Sequence, residues 1–126
     1  MPKVSVIIPA RNELFLQKTI DDILNKAVND IEIIVVLDGY WPDPPLKEDP
    51  RLIIIHRDPK GMRASINAGI AVAKGKYIMK LDAHCILSEG FDETLKANCD
   101  VDWLVIPRRY SLETDNDQWD IRWHRP

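Results

Sequence analysis

The segment Ile31-Glu32-Ile33-Ile34-Val35-Val36-Leu37 constrains the fold more than any other part of this chain. Its shortness and β-branching favour a strand over a buried helix, and its near-continuous apolar character suits a strand covered on both faces. Four other short apolar runs accompany it: Val4–Ile8, Leu52–Ile55, Tyr77–Leu81 and Val101–Ile106. Between the first two runs, Leu16, Ile20, Ile23, Leu24 and Ala27 recur at three- and four-residue intervals, with polar residues between them. That spacing predicts an amphipathic helix over Glu13–Val28, with Asn12 as its N-cap. A second helix is expected over Arg63–Lys74, with Ile66, Ile70 and Ala73 inward and Gly75 as its stop. A third follows Ser88, turning Phe91, Leu95 and Cys99 inward. Gly39–Pro50 holds Pro42, Pro44, Pro45 and Pro50 and reads as a loop. Strands alternating with helices imply an α/β fold, a mostly parallel sheet with helices on both faces.

At 126 residues the chain is one domain's worth. A chain of this size buries roughly two-thirds of its unfolded surface, enough for a core without staples. Its 45% apolar and 29% charged residues exclude a disordered tail, a fibrous repeat and a disulfide scaffold. A formal charge of −3 gives no general footprint for nucleic acid, so a nucleic-acid partner is not expected. Cys85 and Cys99 form neither a disulfide framework nor a metal-binding pair, which fits a reduced, cytoplasmic setting. The apolar run at the start is too short for a signal peptide, and no stretch approaches the ~20 apolar residues of a membrane span.

In open α/β sheets, ligands bind outside the carboxyl ends of the strands. Those positions hold chemically capable residues in every case. The first run is followed by Pro9-Ala10-Arg11-Asn12-Glu13, the second by Asp38-Gly39, and the third by His56-Arg57-Asp58-Pro59-Lys60-Gly61. The fourth leads into Asp82-Ala83-His84-Cys85 and the fifth into Pro107-Arg108-Arg109. This pattern points to a polyanionic ligand held with a metal. Arg51, Arg57, Lys60 and Arg63 oppose only Asp58, and Lys60-Gly61 opens a helix whose N–H groups can face an anion. Asp82 and His84 are two apart, so in an extended segment they share a side and can grip one cation. Oxygen with nitrogen suits Mn²⁺, whereas Mg²⁺ prefers oxygens alone. Each feature also has a plainer meaning: a solvated basic loop, an Asp-Gly turn, a strand-ending Asp with a loop His. Their joint spacing is what is specific.

Taken in order, four blocks resemble the nucleotide-sugar half of a family 2 glycosyltransferase with the GT-A fold. They are Val4–Glu13, Glu32–Gly39, Gly61–Gly69 and Gly75–His84, and the resemblance runs over about residues 3–92. It implies that Pro9, Arg11 and Glu13 line the nucleotide pocket and that Asp38 reads the uracil or ribose. Arg63 and Asn67 would lie beside base and diphosphate. Asp82 and His84 would stand where the family's Asp-x-Asp motif binds the divalent metal, Mn²⁺ or Mg²⁺. A metal there neutralises charge growing on the leaving diphosphate. The implied donor is a nucleotide diphosphate sugar, most readily UDP-linked.

Two departures accompany the resemblance. The second acid of the metal motif is replaced by His84, an Asp-x-His version similar to that of the polypeptide N-acetylgalactosaminyltransferases. This leaves open whether the reaction inverts or retains configuration. The chain also stops soon after the fifth run, where family members continue into an acceptor-binding half. The expected organisation is a nucleotide-sugar-binding core over 1–110 and a tail over 111–126 that can complete the metal or acceptor side. In that tail, Asp117 and Asp120, with Glu113 and Asp115, are the candidates for a general base. His124 is a candidate third metal ligand. Trp119 and Trp123 would share a face if the tail were helical, and could serve a sugar or a second copy in a homo-oligomer. The alternative function is a non-catalytic nucleotide-sugar-binding fragment. A sugar nucleotidyltransferase ranks behind both, because Pro9–Glu13 lacks the glycines such a loop would use. Neither the acceptor nor the transferred sugar is legible.

Overall fold

The structure, a computed structural model, describes residues 4–13, 15–28, 30–82 and 90–92, together with the strand backbone at 111–113 and 120–122. The elements run β1 (Val4–Ala10), α1 (Leu16–Lys26), β2 (Ile31–Asp38), β3 (Leu52–Arg57), α2 (Met62–Val72), β4 (Tyr77–Lys80), β5 (Ser111–Glu113) and β6 (Asp120–Arg122). The first four strands form one parallel sheet in the order β3-β2-β1-β4, as expected of a short GT-A-like α/β domain.

The sequence pattern explains that order. β1 and β2 are buried at every position because they lie at the centre, with a helix on each face. β3 and β4 flank them and are only partly covered. On one face, Leu16, Ile20 and Ile23 of α1 pack on Val6, Ile8, Ile33, Val35 and Leu37. On the other, Ile7, Ile34 and Val36 form the floor beneath α2. Alternate residues of each central strand thus serve opposite layers.

Several boundaries differ from the expectation. α1 begins at Leu16, not Glu13, and no side chain caps it. Asn12 is not its N-cap; with φ at +54° it makes the left-handed turn that leaves β1, a conformation Asn tolerates. β1 continues through Pro9, which lies beyond Ile7, the last residue paired with β4. Among the described residues only β2 pairs with β1 there, so the missing N–H is tolerated.

α2 turns Ser65 and Gly69 inward, while Ile70 is 43% exposed. The reason is close approach: a Cβ on Gly69 would stand 2.6 Å from Ile7 Cγ2. A small-residue stripe therefore outcompetes the isoleucines for the sheet. Ala73, not Gly75, ends the helix. Gly75 is needed for a different reason, since its Cβ would lie 2.6 Å from both the backbone N and the Oγ of Ser5.

Phe91 is buried in the α1-side core, as its apolar spacing predicts, and Asp92 accepts the Val28 N–H at 3.0 Å. Leu95, Cys99 and the run Val101–Ile106 lie outside the described residues. β5 and β6 pair antiparallel as a separate two-stranded sheet, with Glu113 opposite Asp120. This overturns the helical arrangement of Trp119 and Trp123, because residues 120–122 between them are strand. Among the described residues no helix is long and apolar enough to cross a membrane.

Candidate functional site at the carboxyl ends of the strands

From β1 the chain steps outward to β2 and β3, then crosses back to place β4 on the other side of β1. The reversal makes a topological switch point at the carboxyl ends of β1 and β4, the place where such sheets take ligands. The Leu81 N–H donates to the Ile7 carbonyl at 2.9 Å, which holds the exit of β4 beside β1. Arg11 and Glu13 follow β1 there, Arg11 exposed and Glu13 half-buried, while Pro9 is buried within the strand. Asp82 follows β4.

α2 runs antiparallel to the strands, so its first turn stands at the same end. The contacts fix this direction: its start meets Asp38 at the end of β2, and the residues after it meet Ser5 and Glu32 near the strand starts. Arg63 and Asn67, one helical turn apart, are both exposed.

Asp38 is 4% exposed. Its Oδ1 accepts the Lys60 N–H at 2.8 Å and its Oδ2 the Gly61 N–H at 3.1 Å. The Lys60 N–H bond lowers its pKa from the ordinary 3.8; burial opposes this, and the Gly61 N–H and the nearby Arg11 and Arg57 add to the lowering. The Lys60 and Gly61 amides, just ahead of α2, thus face the protein's own carboxylate.

Asp82 follows β4 with its side chain 44% exposed. The Lys80 ammonium, two residues earlier on the same side, forms a salt bridge with it. Asp82 therefore offers a carboxylate at this end of the sheet, already paired with an ammonium. His84, Asp117 and His124 lie outside the described residues, and Asp120 is described only as the first residue of β6. Among the described residues no three His, Cys, Asp or Glu side chains gather as a metal site. Two open concavities lie away from the strand ends: about 290 Å³ beside Lys18, Asp21, Asp22 and Asn25, and about 600 Å³ lined by Glu48, Asp49, Pro50, Leu52 and Ile54.

Several contributors were given no individual role from sequence. Lys80 was legible in principle, since period-two alternation puts it beside Asp82. Arg57, half-buried at the end of β3, sends Nη1 to the Ala64 carbonyl at 3.0 Å and steadies the first turn of α2. Trp41 stacks on His56 with ring centroids 3.8 Å apart and planes 11° from parallel. Only the fold brings the loop after β2 to the end of β3, so no local pattern announces that pair.

The comparisons agree with this geometry. The model described as glycosyl transferase family 2 matches residues 5–126, so the match continues past the four blocks into the tail. The chain is 34% identical over 114 residues to the uncharacterized glycosyltransferase EpsJ of Bacillus subtilis, covering 84% of this chain and 33% of that protein. It is 36% identical over 100 residues to glycosyltransferase GlyG of Streptococcus pneumoniae, covering 73% and 33%. To the chondroitin synthase of Pasteurella multocida it is 34% identical over 91 residues, covering 66% of this chain and 9% of that protein. The chain thus spans about a third of the first two relatives. The sequence, the strand order and the family match agree: the chain belongs to glycosyl transferase family 2.

Proposed function

We propose that this chain is the donor-nucleotide domain of a glycosyltransferase that moves a sugar from a nucleotide diphosphate sugar, UDP-linked, to an acceptor. One observation carries the reading. The order β3-β2-β1-β4 brings Arg11, Arg63 in the first turn of α2 and Asp82 to the same end of the sheet, two guanidinium groups suited to phosphate and one carboxylate suited to a cation. Arg11 and Arg63 meet the diphosphate, while Pro9, Glu13 and Asn67 border the nucleoside. Asp82 and His84 hold Mn²⁺ (or Mg²⁺), with His124 as the third ligand. When bound, the metal neutralises charge on the departing diphosphate.

The tail, with Asp117 and Asp120 as its general-base candidates, completes the acceptor side. The chain spans about a third of its relatives EpsJ and GlyG, and the transfer to an acceptor is proposed for the whole protein. A competition series tests the nucleotide assignment: UDP, ADP, GDP and CDP titrated against the chain in Mn²⁺. Binding of UDP at least tenfold tighter than the others supports the reading. Equal affinities would remove the uridine assignment.

A further inference from the structure

The loop after β2 carries an aromatic plane that the proposed donor site does not use. Trp41 is 71% exposed and lies on the His56 ring, with centroids 3.8 Å apart and planes 11° from parallel. The imidazole covers one indole face, and the other is presented to solvent. The loop that holds the indole is anchored along its length. Tyr40 and Leu46 pack on the α1-side core, the Lys47 N–H donates to Gln17 Oε1 at 2.9 Å, and the Arg51 N–H donates to Asp49 Oδ1 at 2.8 Å.

The strand beneath continues the same surface. Leu52, Ile54 and His56 pair with Ile33, Val35 and Leu37, so they stand in a row on the α1 face of β3. That row is about 13 Å long. Ile54 is 44% exposed, and the open trough of about 600 Å³ lies over Leu52 and Ile54, walled by Glu48, Asp49 and Pro50. An aliphatic floor therefore runs between carboxylates at one end and a flat indole at the other.

We propose that this row is a glycan-binding surface, separate from the donor site, that takes an uncharged oligosaccharide with one ring stacked on Trp41 and the following rings along Ile54 and Leu52. The proposal rests on the family membership and not on the donor-nucleotide reading. A gluco-configured pyranose presents slightly positive C–H groups on its flat faces and hydroxyls around its rim. The indole face is negative and matches the first, and the Glu48 and Asp49 carboxylates accept from the second. His56 holds the indole flat before the sugar arrives, so little ordering remains to oppose binding. Carboxylates in the wall disfavour an anionic chain, and the length of the row favours several rings over a single sugar. A protein of a sugar-transferring family meets chains of this kind.

The test is an NMR titration of the full chain with cellohexaose, chitohexaose, glucose and, separately, UDP with Mn²⁺. It follows the Trp41 indole N–H, assigned by its absence in Trp41→Ala. At least one hexasaccharide is expected to shift that resonance and to bind about tenfold tighter than glucose, and Trp41→Ala should weaken it by about tenfold. UDP should leave the resonance in place. Glycan binding by a chain that ignores UDP still supports the surface. No shift with either hexasaccharide, or equal binding by Trp41→Ala, would overturn the proposal. An indole that moves with UDP would put Trp41 in the donor site and overturn it as well. So would a shift that grows with protein concentration alone and vanishes in Ile54→Lys, which would assign the row to a second copy of the chain.

Discussion

Glu32 and Asp38 stand six residues apart on β2 and grip opposite ends of α2. Both face the α2 side of the sheet, since strand residues an even number apart share a face. Glu32 Oε2 accepts the Ser5 hydroxyl at 2.5 Å and the Lys74 N–H at 2.6 Å, just beyond the helix end. Asp38 accepts the Lys60 and Gly61 amides at its start. Six strand residues span about 20 Å, and the helical path from Gly61 to Ala73 spans about 18 Å. One strand is therefore a ruler for the helix above it. Burying two acids in an apolar strand is tolerable because each is engaged by several donors.

Replacing Glu32 by Ala leaves the Ser5 hydroxyl and the Lys74 N–H without their acceptor. Each such loss costs about 1–3 kcal/mol, so a destabilisation of roughly 2–4 kcal/mol is expected in urea unfolding. Glu32→Gln keeps an acceptor oxygen and should cost less. Neither change should alter UDP affinity of the folded protein, because Glu32 acts at the strand starts.

Gly69→Ala should destabilise by roughly 1–3 kcal/mol through overpacking. The new methyl would meet Ile7, whose side chain is fully buried and has nowhere to retreat. Pairing it with Ile7→Val should restore part of the loss, a coupling that a double-mutant cycle in urea measures directly.

Acid sensitivity has a defined sign. The folded-state pKa of Asp38 is lowered by its amide donors, and that of Asp49 by the Arg51 side chain. A lowered carboxylate stabilises the fold fully above its unfolded value, near 3.8, and loses that contribution as pH falls through the folded value. The stability gap between the parent and Asp38→Asn should be constant at neutral pH and shrink below about pH 4. Thermal melts across that range check it, and a gap that widens on acidification would contradict the direction.

Removing the Lys80 ammonium should make the surroundings of Asp82 less positive and favour a cation there. An exposed pair of this kind is worth about 0–1 kcal/mol, so Lys80→Met should raise Mn²⁺ affinity by up to about fivefold. Asp82→Ala should remove Mn²⁺-dependent nucleotide binding. Calorimetry with Mn²⁺ alone and with UDP reads both effects.

The strands and their alternation were legible because burial on both faces leaves a continuous aliphatic run, as at Ile31–Leu37. The helix faces were less so. Isoleucines at Ile66 and Ile70 outweigh a small-residue stripe in any hydrophobic count, yet Ser65 and Gly69 win the sheet by allowing close approach. The one acid inside the strand run, Glu32, was a visible anomaly, but its partners lie 27 and 42 residues away and appear only on folding. The ligand-bearing ends were legible as a set, through the rule for open sheets. The internal bonds of Asp38 were not, because a strand-ending Asp looks the same whether it faces solvent, ligand or its own backbone.

The central proposal is that the carboxyl ends of β1 and β4 hold a nucleotide diphosphate with a metal on Asp82. Calorimetric titration of UDP into this chain, in Mn²⁺ and again in EDTA, tests it most directly. The account predicts binding in Mn²⁺ that weakens at least tenfold in EDTA and in Asp82→Ala. Folded protein that binds UDP equally with and without metal, or in neither condition, would contradict it.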